Sequence, residues 1–333
     1  MEQTCEKCGN ASQITLNYGP HYYCKEHFTD FFERRVRKTI RKFGLIKPQE
    51  KLLVGVSGGK DSMLVLYLLH KYYKDSNPIE AVIIDEGIPG YRDKAIELAI
   101  EGCEQWNIPY TVQKFEKEFG ITDMQIMKKM AVNKDLGKSC CAFCGPFRRT
   151  ILNKQAQETK ADKLVTGHNL DDEAQSILMN VMDNHSEKFF RLGAIVNSQK
   201  EQGMVPRIKP LYECPEKEII AYCMMNSIPH YSEKCCPLGS KAKRNDYRAF
   251  LNDFELKYPG TKFSVLAFLQ GAQKSVAPLT STVMETCDGC GQPSPSKQCN
   301  SCRNLEKLHA TKGEGTVVES AGKSCNELKQ EAT

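Results

Sequence analysis

Short apolar runs alternate with longer amphipathic stretches from residue 52 onward. LLVGV (52–56), EAVIID (80–85), IPYTVQ (108–113) and the apolar part of ADKLVTGH (161–168) have the length of buried strands. Between and after them, MLVLYLLHKYY (63–73), residues 92–105 and the stretch from Asp171 to about Met182 are predicted helices. This alternation predicts an α/β fold, a parallel sheet with helices on both faces. Upstream, residues 30–46 place Phe31, Val36, Ile40 and Phe43 at roughly helical spacing, so a helix is expected there too.

The two ends follow no such pattern and are rich in cysteine. The expected organisation is a small Cys/His unit at 1–29, a basic helical linker at 30–50 and the α/β domain at 51–270. A second cysteine knot at 271–304 and a polar tail at 305–333 complete it. The tail has no aromatic residue and no periodicity, so it is expected to be disordered, and Cys325 within it is an isolated thiol. With 333 residues, 40% of them hydrophobic, a sizeable core can form. No apolar run reaches the 18 or so residues of a membrane helix. The N-terminus has no apolar signal region, so a cytoplasmic protein is expected.

The net charge of +5 is unevenly spread. RRVRKTIRK concentrates Arg34, Arg35, Arg37, Lys38, Arg41 and Lys42 within residues 34–42. Such a patch suits a polyanion such as a nucleic acid, and the alternative is a solvated helix face.

Gly55-Val56-Ser57-Gly58-Gly59-Lys60-Asp61-Ser62 follows a predicted strand and opens a predicted helix. Backbone N–H groups at such a turn cradle phosphate oxygens. It is not a Walker A loop: Gly55 and Gly59 are too close together, and Asp61 replaces the metal-binding hydroxyl. Lys60 is expected to neutralise the leaving phosphate oxygens and Asp61 to help hold Mg²⁺.

Sixteen cysteines without a secretory signal point to metal rather than disulfides. Cys5-x-x-Cys8 with Cys24-x-x-His27 supplies four ligands, as does Cys287-x-x-Cys290 with Cys299-x-x-Cys302. Four protein ligands fill a tetrahedron, so two structural zinc sites are expected. Cys141-x-x-Cys144 has no matching second pair. Cys103, Cys214 and Cys223 lie in apolar or helical surroundings and are expected to be core residues.

SGGKDS is similar to the PP-loop of the adenylating ATPases, which split ATP between its α- and β-phosphates. The similarity extends to Ile84 and Asp85, where that group reads adenine and ribose, and to Gly167-His168-Asn169-Leu170-Asp171-Asp172-Glu173-Ala174. With the cysteine sets, residues 1–304 resemble the tRNA 2-thiouridine synthetases, the wobble-uridine and ribothymidine-thiolating enzymes. The resemblance implies a PP-loop ATPase domain flanked by two zinc knots. It implies a third set, Cys141, Cys144 and Cys236, that holds a 4Fe-4S cluster with one iron free to carry sulfide. Cys140 and Cys235 are immediate neighbours and leave the choice of ligand open, although spacing favours Cys141 and the following proline favours Cys236. Arg148 and Arg149 resemble basic residues near the active site. Asp172, with Asp171 second, is the candidate for proton or base handling, or is simply a helix-starting aspartate.

The implied chemistry is adenylation of a uridine C2 oxygen by ATP, then displacement of AMP by sulfur. The favoured target is the anticodon wobble uridine, since plentiful Cys, Met, Asn and Gln speak against a hyperthermophile. The alternative target is the T-loop ribothymidine. The implied partners are tRNA, a sulfur donor (sulfide, a persulfide carrier or a thiocarboxylated ubiquitin-like protein) and a second copy of the chain, with no membrane. Two other readings are a PP-loop enzyme adenylating a different substrate with only zinc in its cysteine sites, and a zinc-ribbon adaptor with an inactive ATP fold.

Overall fold

The computed structural model describes residues 3–19, 21–137, 139–196, 203–232, 242–276 and 284–311. The chain opens with an antiparallel hairpin, β1 (Ile14–Leu16) and β2 (His21–Tyr23), and then α1 (Lys25–Lys42). Phe28, Phe32, Val36 and Ile40 recur every four residues on α1 and are buried, so the helix lays one apolar stripe on the body. Phe32 meets Tyr222 at a ring distance of 4.9 Å. The helix therefore runs unbroken across the boundary expected at residues 29–30.

The central sheet contains β3 (Leu52–Val56), β4 (Ile79–Asp85), β5 (Tyr110–Lys114), β6 (Lys163–Val165), β7 (Ile195–Val196) and β8 (Arg207–Ile208), in the order β5-β4-β3-β6-β8-β7. The four predicted strands are β3 to β6, all parallel to their neighbours. The expected parallel sheet is mostly parallel, with one correction: β7 pairs antiparallel to β8. Those strands follow one another closely in sequence, and only a crossover connection, usually a helix, makes neighbouring strands parallel.

The helices are α2 (Lys60–Tyr73), α3 (Arg92–Gln105), α4 (Phe115–Phe119), α5 (Asp123–Val132), α6 (Cys141–Glu158), α7 (Leu170–Met182), α8 (Ser186–Phe190), α9 (Glu216–Met225), α10 (Arg244–Lys257), α11 (Thr261–Ser275) and α12 (Asn300–Ala310). A second hairpin, β9 (Glu285–Thr286) with β10 (Pro293–Ser294), precedes α12. Residues 305–310, expected to be disordered, continue α12 and bury Leu308 in a cluster with Phe143, Phe147 and Ile151 of α6. The rest of the expected tail, with Cys325, lies outside the described residues. No helix among the described residues is long and apolar enough to cross a membrane.

Strand order positions the site. From β3 the chain moves to β4 and β5 on one side, and returns to β6 on the other. The connections after β3 and before β6 thus leave in opposite directions, which opens a crevice beyond the carboxyl ends of these strands.

Candidate active site

The loop from Ser57 to Ser62 lies at that crevice, between β3 and α2. Gly58 adopts φ +78°, and a Cβ there would lie 1.9 Å from the Ala95 carbonyl oxygen of α3. Only glycine lets the loop pass this close to α3. Ser62 Oγ accepts from Ser57 N at 3.0 Å and lies 3.0 Å from Ser57 Oγ, which braces the turn from inside. Lys60 sits between two carboxylates, 3.0 Å from Asp61 and 2.7 Å from Glu216. Burial works against its charge, but these neighbours raise its pKa overall, so it is a cation ready for phosphate.

The second motif meets the first. Gly167 passes over the start of α2, where a Cβ would lie 2.8 Å from Ser62 N. Asn169 caps α7 in a capping box with Asp172, and its Nδ2 donates to Asp61 Oδ1 at 2.8 Å. The two aspartates then diverge. Asp171 is buried, ion-paired with Lys262, and accepts from Glu216 N at 2.8 Å, so it holds α7, α9 and α11 together. Asp172 lines the site 3.4 Å from Arg244, and burial pushes its carboxyl up to about 6. His168 is held neutral, first by burial and then by Lys209, Arg207 and Arg244.

Two adjoining cavities share Ser57, Asp61 and Asp172. The smaller, about 310 Å³, is lined by Gly55, Val56, Ser62, Ile84, Gly167 and Arg149. The larger, about 730 Å³, is lined by Gly59, Lys60, Cys140, Cys141 and Cys144 among others. Arg148 lines both. The fold thus brings the Cys141-x-x-Cys144 pair, at the start of α6, to the same cavity as the phosphate loop. Cys141 is exposed and Cys144 half-buried, whereas Cys140 is buried with its Sγ 3.6 Å from Asp123 O. Cys235 and Cys236 lie outside the described residues. Ser232, four residues before Cys236, lines the larger cavity.

Asp85 does not line either cavity; its Oδ1 accepts from Gly87 N at 2.9 Å. Glu86, the next residue, lines both. It is ion-paired with Arg92 at 2.5 Å, and Arg92 also donates to Ser57 O at 2.7 Å and to Ile84 O. These residues, with Asp123, Glu216, Tyr91 and Tyr231, form no local sequence pattern, and no single-sequence signal marks them.

Both end sets converge. Cys5, Cys8, Cys24 and His27 place their ligand atoms within 4.8 Å of one another, as do Cys287, Cys290, Cys299 and Cys302. Sulfur separations are 3.8 Å for Cys8–Cys24, 3.7 Å for Cys287–Cys302 and 3.6 Å for Cys290–Cys299. A disulfide would need about 2.05 Å. These spacings fit four ligands around one ion: a tetrahedron with metal–sulfur bonds of about 2.3 Å has edges of about 3.8 Å. Burial opposes ionisation of Cys287, yet N–H groups of Cys299, Cys290 and Gly289 bring it down to about 6. Burial, helped by Cys299 and Cys287, pushes Cys290 up to about 11. Thiols this close ionise together only around a cation. The C-terminal knot docks on α6 through Thr150–Ser301 at 2.8 Å and Asn304–Ala142 at 3.1 Å. Cys103, Cys214 and Cys223 are buried core thiols.

The basic stretch divides by burial. Arg35 is half-buried, pairs with Glu218 at 2.7 Å and lies over the Phe31 ring. Arg37 lies over the Tyr72 ring. Arg34 and Lys42 are exposed but paired with Asp30 and Glu213. Lys38 and Arg41 are exposed.

A family model described as a PP-loop domain matches residues 28–253. The chain is 33% identical to a tRNA 2-thiolation protein NcsA from Haloferax volcanii, over 92% of this chain and 99% of that one. It is 32% identical to a tRNA-5-methyluridine(54) 2-sulfurtransferase from Pyrococcus horikoshii, over 90% and 92%. Among solved structures, the U34-tRNA thiolase NcsA from Methanococcus maripaludis with its 4Fe-4S cluster superposes with a TM-score of 0.77 at 31% identity, covering 92% of this chain and 96% of that one.

Proposed function

This chain belongs to the PP-loop family of tRNA 2-thiolation proteins, and on that premise we propose that it is an ATP-dependent tRNA sulfurtransferase acting on the anticodon wobble uridine. One observation carries the reading: a single cavity is lined by Lys60 and Asp61 of the phosphate loop and by Cys141 and Cys144. Activation and sulfur delivery to one base need those groups within reach of one another.

In the first step the uridine C2 oxygen bonds to the α-phosphorus of ATP, and pyrophosphate leaves. The adenosine end fits the smaller cavity, against Gly55, Val56, Ile84 and Gly167. The loop amides and the α2 N-terminus face the phosphates. Lys60 neutralises the departing pyrophosphate, and Asp61, oriented by Asn169, helps hold Mg²⁺. Arg148 and Arg149 add positive charge beside the α-phosphate. In the second step sulfur bonds to C2 and the C2–O bond breaks, so AMP departs with the former carbonyl oxygen. Asp172, with its raised pKa, is placed to exchange the proton on the incoming sulfur.

Cys141, Cys144 and Cys236 fit a 4Fe-4S cluster by their chemistry. Three thiolates are too few to close a structural zinc site, and the exposed Cys141 and half-buried Cys144 open onto the cavity. When bound, the cluster supplies an iron without a protein ligand, at which sulfide can be held and delivered. Cys140 is turned to Asp123 O, which supports Cys141 as the ligand. Zinc is the ion that best suits the two tetrahedral end sets, and metal sites built on so many free thiols suit the reducing cytoplasm.

The test is anaerobic reconstitution with iron and sulfide, incubation with ATP and a tRNA carrying a wobble uridine, and mass analysis of the digested nucleosides. The expected product is 2-thiouridine at the wobble position, dependent on both ATP and iron. Sulfur at position 54 would move the target to the T-loop. No thiolated nucleoside under any of these conditions would overturn the reading.

A further inference from the structure

A uridine in a folded tRNA cannot present its C2 to the floor of a cavity while stacked between its neighbours. It has to be turned out, and an extruded base is usually held by stacking on an aromatic face. The larger cavity provides one. Tyr91, at the start of α3, and Tyr231, after α9, both line it and meet edge to face with ring centres 5.5 Å apart. Both are half-buried.

Their placement is fixed by the phosphate loop itself. Tyr231 N donates to Gly58 O at 2.8 Å, and Tyr231 pairs with Gly59 as a parallel bridge. Tyr91 immediately precedes Arg92, which is anchored to Ser57 O and to Glu86. Both rings are therefore carried by segments bonded to the phosphate loop. Asp172, Cys141 and Cys144 line the same cavity. The remaining ring on the lining is the smaller imidazole of His230, which lies 2.8 Å from Ile228 O, and the large aliphatic residues there are Ile88 and Ile220.

We propose that Tyr231 and Tyr91 form the stacking wall for the extruded uridine and are base-binding residues of this enzyme. The proposal rests on the tRNA-thiolation reading and adds to it the surface that holds the reacting base. Tyr231 is the main contact because backbone bonds tie it to Gly58 and Gly59, and Tyr91 packs against it in a T-shaped pair. A base lying on Tyr231 has the phosphate loop beside it and shares its cavity with the cysteine pair, the two groups that the two steps need. The wall is indifferent to base identity, since every base has a π face. Selectivity for uridine then has to come from polar groups at its edge, such as Asp172.

The test is a binding cycle on the anaerobically reconstituted holoenzyme. Two tRNA transcripts are compared, one intact and one abasic at the uridine that the wild-type enzyme thiolates. Against the wild type, the abasic transcript is expected to bind at least about fivefold more weakly, the loss of one stacked base. Against Tyr231→Ala, the intact and abasic transcripts should bind equally. Tyr231→Phe keeps the ring and should restore the difference, while KM for ATP stays within twofold of wild type in both variants. Tyr91→Ala should reduce the difference without removing it. An abasic penalty that persists in full in Tyr231→Ala would overturn the proposal, as would a Tyr231→Phe variant no better than alanine. A wild-type holoenzyme that thiolates no uridine would overturn the tRNA-thiolation reading and this proposal together.

Discussion

Asn169 Nδ2 donates to Asp61 Oδ1 at 2.8 Å across 108 residues of sequence, while the same side chain's Oδ1 accepts from Asp172 N at 3.1 Å. One amide thus caps α7 and orients the aspartate of the phosphate loop. Asn169→Ala should lower stability by about 1 kcal/mol, the usual loss of an N-cap. It should also raise KM for ATP, because Asp61 Oδ1 loses the donor that orients it and only the contact with Lys60 is left to hold the carboxylate. Asn169→Asp would keep the cap but place two carboxylates together, so it should recover the melting temperature and not the ATP affinity. Thermal melts and ATP titrations on both variants check this.

Gly58 is the tightest point of the loop. Gly58→Ala combines a positive φ with a Cβ 1.9 Å from a backbone oxygen of α3, which cannot move without shifting the helix. The expected result is loss of ATP binding and about 2 kcal/mol or more of stability. Gly90→Ala has a similar φ, +73°, but no atom within 4 Å of the added Cβ. It should cost about 1–2 kcal/mol and leave ATP binding intact.

Burial raises Asp172 to about 6 in the folded chain, above the usual aspartate value near 3.9. A raised carboxyl favours the folded state while it is protonated. Its contribution is therefore fully present below about pH 4 and lost as pH rises through 6. Asp172→Asn cannot ionise, so it should be more stable than wild type at pH 7–8, with the gap closing below about pH 4. Denaturant melts across that range read the effect. The same variant should lose about a hundredfold or more in thiolation, as expected for a proton-transfer group.

The C-terminal knot sits on α6, the helix that begins with Cys141. Cys302→Ser should remove about one zinc per chain and, through α12, loosen that helix. Iron content after reconstitution is expected to fall as well, with ATP binding retained. Cys8→Ser at the other end should lower zinc by the same amount and leave iron unchanged, because that knot sits on α1. Metal analysis of both variants, with absorbance spectra, separates the two effects.

Within the basic stretch 34–42, Lys38 and Arg41 are the exposed cations without a carboxylate partner among the described contacts. Reversing both to Glu should flatten the log–log salt dependence of tRNA binding by about 1.4–1.8, the loss of two phosphate contacts. Arg35→Glu should instead unfold the region, since it would face Glu218 with a like charge in a half-buried pocket. Salt-dependent tRNA titrations and a thermal melt distinguish the two outcomes.

The sequence by itself determined the strand–loop–helix of residues 52–73, four of the six strands of the sheet and the two four-ligand sets at the ends. Each is written in contiguous residues: a strand shows its apolar run, a glycine loop its composition, and a metal knot its paired ligands a few residues apart. The tertiary structure decided the rest. Spacing alone could not separate Arg35 from Lys38, because helix periodicity does not say which cation meets Glu218. Asp171 and Asp172 are neighbours in sequence, but a helix turns about 100° between them. One side chain is therefore sent to Lys262 and the other to the cavity. The resemblance points to Asp85 at the end of a strand, yet it is Glu86 beside it that reaches Arg92 and both cavities. Tyr91 and Tyr231 lie 140 residues apart and meet only because the order of the sheet brings the end of β4 and the segment after α9 to the same phosphate loop. Local chemistry can be read along a chain, whereas a site assembled from distant segments exists only once backbone pairing has fixed which segments are neighbours.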